Sequence, residues 1–106
     1  MRIEVSAPGN HLERDEIAGI ERDLEKLDRR LKDFKEEVTA TVRVTDAEGP
    51  APAHHVVLEL DYGRNHLRAN AENADVGMAV REAREEILRQ INDRSRGGHS
   101  SFAKHT

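Results

Sequence analysis

The run His55-Val56-Val57-Leu58-Glu59-Leu60-Asp61-Tyr62-Gly63-Arg64-Asn65-His66-Leu67-Arg68-Ala69-Asn70-Ala71 decides the fold. Polar and apolar residues alternate up to Tyr62, Gly63-Arg64 interrupts, and the alternation resumes at Asn65. Two alternating runs joined by two residues, one of them glycine, read as a β-hairpin. With Gly63 and Arg64 in the turn, Tyr62 faces Asn65. Leu60 then lies opposite Leu67 and Leu58 opposite Ala69 on one face, while Glu59 meets Arg68 and Asp61 meets His66 on the other. Apolar meets apolar and opposite charges meet, which supports this register.

Downstream of the hairpin, Asn73 or Asp75 can cap a helix. Its inner stripe is Val76, Val80, Ala83, Ile87 and Ile91, and Gly97-Gly98 ends it. Residues 99–106 have no periodicity, so the chain divides into a domain over 1–96 and a flexible tail over 97–106. Upstream of the hairpin lies a polar loop at 46–53. Before it, Val38, Ala40, Val42 and Val44 alternate with Thr39, Thr41, Arg43 and Thr45, the mark of a strand with one buried and one wet face. Earlier still, Ile17, Ile20, Leu24, Leu27, Leu31 and Phe34 recur at helical steps and predict an amphipathic helix of about five turns. The same spacing would suit a coiled coil, but strands on both sides can receive the stripe. Ile3 and Val5 mark a short first strand. The order is β-α-β-β-β-α. Two amphipathic helices and one-sided strands predict an α+β two-layer sandwich: a four-stranded, antiparallel-rich sheet with both helices on one face.

Composition narrows the function. The chain is 36% charged and 36% hydrophobic, which leaves little apolar material for a ligand pocket. One Tyr, two Phe and no Trp weaken any reading in which bases stack on an aromatic platform. The absence of Cys excludes disulfides and thiolate metal sites. No apolar run reaches the length of a membrane span, and the N-terminus reads as a strand rather than a signal peptide, so the expected location is cytoplasmic. His54 and His55 are adjacent and would point to opposite faces of a strand. The other histidines are scattered without the i,i+4 spacing of a helical zinc site. There is no glycine-rich loop ahead of a helix to cradle phosphate, and no serine has the context of a nucleophile. The expectation is a protein that is not an enzyme, with no metal, no cofactor and no small-molecule substrate.

The charges are more informative than their sum. Net charge is −4, and all 21 acidic residues fall at or before Asp93. Placement decides what a partner feels. On a wheel with Leu24 at zero, Arg22, Lys26 and Arg29 fall at about 160°, 200° and 140°, opposite the core. Glu21, Asp23, Glu25 and Asp28 sit on the flanks, so the outer ridge is cationic along its middle, while Asp15 and Asp33 interrupt its ends. With Val80 at zero on the last helix, Arg84, Arg81 and Arg89 fall at about 40°, 100° and 180°. Glu82, Glu86 and Asp93 gather on another flank. The bland reading is a solvated surface held by pairs such as Glu25–Arg29, Asp28–Lys32 and Glu85–Arg89. The sharper reading is two basic ridges on neighbouring helices, docking on a large anion.

The run Leu67-Arg68-Ala69-Asn70-Ala71-Glu72-Asn73-Ala74-Asp75-Val76-Gly77-Met78-Ala79-Val80 resembles the ribosome hibernation promoting factor family, which includes ribosome-associated inhibitor A and was once called sigma modulation protein. Ile87-Leu88-Arg89-Gln90-Ile91 is similar to the family's Leu-Glu-Arg-Gln-Leu, and Leu24-Glu25-Lys26-Leu27 to its Leu-Glu-Lys-Leu. The resemblance covers residues 1 to 94. The chain departs from the family at Glu86, where Lys is frequent, and at Gly77, where an aromatic is usual. It looks like a short member, without the additional dimerisation domain of long ones or an acidic tail. The resemblance implies a fold related to double-stranded-RNA-binding domains. It also implies binding in the mRNA and tRNA channel of the small ribosomal subunit, inhibition of translation, and protection of idle ribosomes under stress. The implied contacts to ribosomal RNA are Lys26, Arg29, Arg30 and Arg89, with Arg81, Arg84, Arg94 and Arg96 as neighbours; the cationic ridge read from the helix wheel adds Arg22 to the expected RNA-binding set. The protein is expected to be a monomer when free. The alternative is a protein-interaction or stress-regulatory module on the same fold, whose acidic flanks contact a basic partner.

Overall fold

Each alternating run forms a strand and each helical-period run a helix. The computed structural model describes residues 1–9, 12–32 and 37–95. Its elements are β1 (Arg2–Ser6), α1 (Arg14–Arg30), β2 (Thr39–Asp46), β3 (His54–Tyr62), β4 (Asn65–Asn73) and α2 (Val76–Ser95). The strands form one sheet in the order β1-β2-β3-β4. β1 runs parallel to β2 through the α1 crossover, and the other two pairs are antiparallel. The expected register of the hairpin holds throughout: Tyr62↔Asn65, Leu60↔Leu67, Glu59↔Arg68, Leu58↔Ala69 and Asp61↔His66. Gly63 takes φ 57°, the positive value that a two-residue hairpin loop places on glycine. The expected tail at 97–106, together with Phe34 and Arg96, lies outside the described residues.

Strand alternation sorts the sheet into two faces. Ala40, Val42, Val44, Val56, Leu58 and Leu60 are fully buried and join Ile20, Leu24 and Leu27 of α1 and Val80, Ala83 and Ile87 of α2 in one core cluster. Both helices therefore cover the same face. Thr41, Arg43, Thr45, Glu59 and Arg68 project from the other face, which no described element covers. Both candidate caps of α2 are used. Asn73 Oδ1 accepts from the Asp75 amide at 2.9 Å, and Asp75 Oδ1 accepts from the Met78 amide at 3.2 Å. At α1, Glu16 Oε1 reaches back to the Glu13 amide at 3.0 Å.

Candidate nucleic-acid interface

Four cations of α1, Arg14, Arg22, Lys26 and Arg29, have no partner among the described residues, and the last three line its outward side. The stripe Ile20, Leu24 and Leu27 fixes the rotation of the helix against the sheet, so Arg22, Lys26 and Arg29 point to solvent. None of the three makes a hydrogen bond or ion pair with another described residue. The expected pairs Glu25–Arg29 and Asp28–Lys32 are not formed. Asp28 lies only about 40° from the core direction, and its Oδ1 sits 3.4 Å from the Met1 nitrogen instead. Glu21, Asp23, Glu25 and Asp28 thus lean to the flanks of α1, and no described acid contacts the ridge cations directly; Asp15 shares the ridge side about two turns before Arg22.

The arginines of α2 are placed differently. Arg84, expected in the RNA-binding set, is 4% exposed and faces α1. Its Nη1 donates to the Asp23 main-chain oxygen at 3.3 Å and lies 3.7 Å from the Asp23 carboxylate; its Nη2 donates to Glu85 Oε1 at 2.8 Å. The physical reason is its wheel angle, close enough to the core for the neighbouring helix to cover it. Arg84 is a clasp between the helices rather than a surface cation. Arg81 stays exposed, with its Nε 3.5 Å from Asp23 Oδ2. Arg30 of α1 closes the far end of the helix pair, donating from Nε and Nη2 to Asn92 Oδ1 at 3.2 and 3.0 Å. Arg94 turns toward the hairpin and donates to Asn65 Oδ1 at 2.8 Å.

Arg89 does point outward, but it is engaged. The expected partner Glu85 is taken by Arg84, and Arg89 pairs with Glu86 instead, Nη2 lying 2.6 and 2.7 Å from the two carboxylate oxygens. Hydrogen bonds from Arg89 and Gln90 hold the Glu86 carboxyl below its ordinary range, and the same pair raises Arg89. The two ridges expected from the wheels reduce to one on α1, with Arg30 and Arg81 at the seam. Sequence reasoning missed the seam partners Asp23 and Asn92. The signal was their place on the facing flanks of the two wheels.

On the uncovered sheet face, His66 Nδ1 sits 2.6 Å from Asp61 Oδ1, with Glu59 at 3.7 Å from Nε2. The hydrogen bond to Asp61, and then its charge, raise the His66 pKa above the ordinary value. Among the described residues, no three His, Cys, Asp or Glu side chains converge as a metal site would need. No described helix is long and apolar enough to cross a membrane.

No protein-family model matches the chain, and no curated protein matches it by sequence. Solved structures do match. The N-terminal domain of Protein Y from Thermus thermophilus superposes with a TM-score of 0.70 over 86% of this chain and 96% of that domain, at 19% identity. The chain has the Protein Y fold. A ribosomal subunit interface protein from Coxiella burnetii superposes at 0.72, over 90% of this chain and 98% of that one, at 14% identity. At these identities the likeness is one of fold. It agrees with the β-α-β-β-β-α order and with the family resemblance read from the hairpin and helix motifs.

Proposed function

We propose that the protein is a ribosome-associated translation inhibitor of the hibernation type. It binds small-subunit ribosomal RNA in the mRNA and tRNA channel through the outward ridge of α1. The observation that carries this reading is the set Arg22, Lys26 and Arg29, exposed on one helix face with no partner among the described residues, while Glu21, Asp23, Glu25 and Asp28 lie on its flanks. Arg30 and Arg81 extend the surface at the helix seam, and Arg94 near the end of α2 and Arg96, which follows it in the sequence, complete the proposed set; Arg84 is excluded by burial. The fold likeness to a protein described as a ribosomal subunit interface protein supports the choice of partner. The action is occupancy: cations neutralise phosphates, counterions are released, and helical RNA is read by shape rather than base sequence. A net charge of −4 does not forbid this, since screening over about 8–10 Å hides distant acids. The protein works in the cytoplasm, without cofactor or catalysis, as a monomer when free.

Co-sedimentation with purified small subunits tests the reading. Arg22→Glu, Lys26→Glu and Arg29→Glu together should keep the thermal melt of the wild type and abolish both sedimentation and inhibition of in vitro translation. If three phosphates are contacted, wild-type binding should fall with added salt at a log–log slope of about −2 to −3. Failure of the wild type to sediment at low salt overturns the proposal. One observation favours the interaction-module alternative in that case. Met78, the exposed large hydrophobic residue of the described chain at 43%, shares a shallow surface of α2 with Glu82, Glu85 and Glu86, and with Arg81 and Arg89. That surface pairs an exposed apolar side chain with charges of both signs, the chemistry of a protein contact.

A further inference from the structure

Arg89 points outward from α2, and its guanidinium is already filled by an anion. Nη2 donates to Glu86 Oε2 at 2.6 Å and to Oε1 at 2.7 Å, and Nε donates to Oε1 at 3.1 Å. This is the two-pronged geometry in which a guanidinium takes a phosphate. The carboxylate is also held from behind. Gln90 Nε2 donates to Glu86 Oε2 at 3.0 Å and to the Arg68 main-chain oxygen at 3.1 Å, so an edge-strand carbonyl of β4 anchors the amide that anchors the acid. Asp93 Oδ2 adds a second negative group 4.0 Å from Arg89 Nη1.

We propose that Glu86 is a built-in competitor for RNA phosphate: it occupies the Arg89 fork, so α2 adds to anion binding only when a phosphate displaces it. The identity of the anion rests on the ribosomal reading above; the occupied fork does not. The pair is solvent-exposed, and such pairs are worth no more than a factor of about five. Glu86 therefore acts as an attenuator that a polyphosphate can push aside. It weakens binding by α2 and leaves the free ridge of α1 to make first contact. A long-range negative charge at this position would also weaken RNA binding, but would do so whether or not Arg89 were present.

A double-mutant cycle separates the two. Wild type, Glu86→Gln, Arg89→Gln and the double variant are measured for affinity to small ribosomal subunits by co-sedimentation. Affinity to a short RNA duplex is followed in parallel by fluorescence anisotropy. The expected result is a gain of about fivefold for E86Q, almost no loss for R89Q, and no gain from E86Q once residue 89 is Gln. On the duplex, E86Q should also steepen the salt slope by about one contact. An E86Q gain that survives in the R89Q background overturns the proposal. So does an unchanged affinity for E86Q, or a tenfold loss for R89Q alone. Wild-type binding to subunits with no response to E86Q sinks the attenuator and leaves the ribosomal reading standing. If the wild type ignores subunits while E86Q gains duplex affinity through Arg89, the ribosomal reading falls and the attenuator stands.

Discussion

The two helices carry similar numbers of basic residues and present them in opposite ways. On α1, Arg22, Lys26 and Arg29 are exposed and have no partner among the described residues. On α2, Arg84 is buried against Asp23, Arg89 is gripped by Glu86, and Arg94 is tied to Asn65. The difference comes from where the carboxylates fall. On α1 the acids beside these cations, Glu21, Asp23, Glu25 and Asp28, lie on the flanks, where Asp23 reaches across to the other helix; Asp15 lies on the ridge about two turns before Arg22. On α2, Glu86 precedes Arg89 by three residues on the same face, close enough to pair. A count of arginines therefore says little about a binding surface; the partners decide which cations are available to a ligand.

The sharpest break of this comparison lies within α1 itself. Leu27 is fully buried and its neighbour Lys26 is exposed. Leu27→Ala should cost about 2–5 kcal/mol in denaturant melts, through lost burial and a cavity. Lys26→Ala should stay within about 0.5 kcal/mol. A costly Lys26→Ala would mean that the ridge is structural and not free.

Next in size is the clasp. Arg84→Ala leaves Asp23 with Arg81 alone and opens a gap between the helices, so stability should fall by about 1–3 kcal/mol. Arg22→Ala should again fall within about 0.5 kcal/mol. Equal effects at both positions would erase the contrast between a cation used inside the fold and one left outside it.

The smallest effect concerns the uncovered sheet face, where His66 and Asp61 are self-paired in the manner of Arg89 and Glu86. The folded pKa of His66 is raised, chiefly by its hydrogen bond to Asp61. Its stabilising contribution is thus complete below the ordinary histidine value and is lost as pH rises through the raised one. Asp61→Asn should return the His66 titration, followed by NMR, toward the ordinary value. It should also flatten the pH dependence of the melting midpoint across that window. A His66 titration unmoved by D61N would show that the pair does not persist in solution.

The fold was legible because its signals are local and redundant. The register of β3 with β4 follows from period-two alternation on both sides of Gly63, and a slip would expose Leu58, Leu60 and Leu67 together. The α1 ridge was legible for a similar reason, since the apolar stripe dictates what lies opposite it. The state of the α2 arginines was not. Arg84 sits at a wheel angle where burial depends on how closely a second helix approaches, which helical period does not encode. Glu85 and Glu86 were both near Arg89 in sequence. Which of them pairs with it depends on Arg84 claiming Glu85 and on Gln90 steadying Glu86 against β4. Tertiary placement, not residue type, separates a usable cation from a consumed one.

The most direct test sets one helix against the other in a single experiment. Wild type, the α1 triple variant R22E/K26E/R29E and the α2 variant R89Q are sedimented with purified small ribosomal subunits over a range of salt, after matching melts confirm that all three are folded. The expected outcome is that wild type and R89Q pellet together with nearly the same salt dependence, while the α1 variant stays in the supernatant. Binding that survives reversal of the α1 ridge but is lost with R89Q would contradict the account.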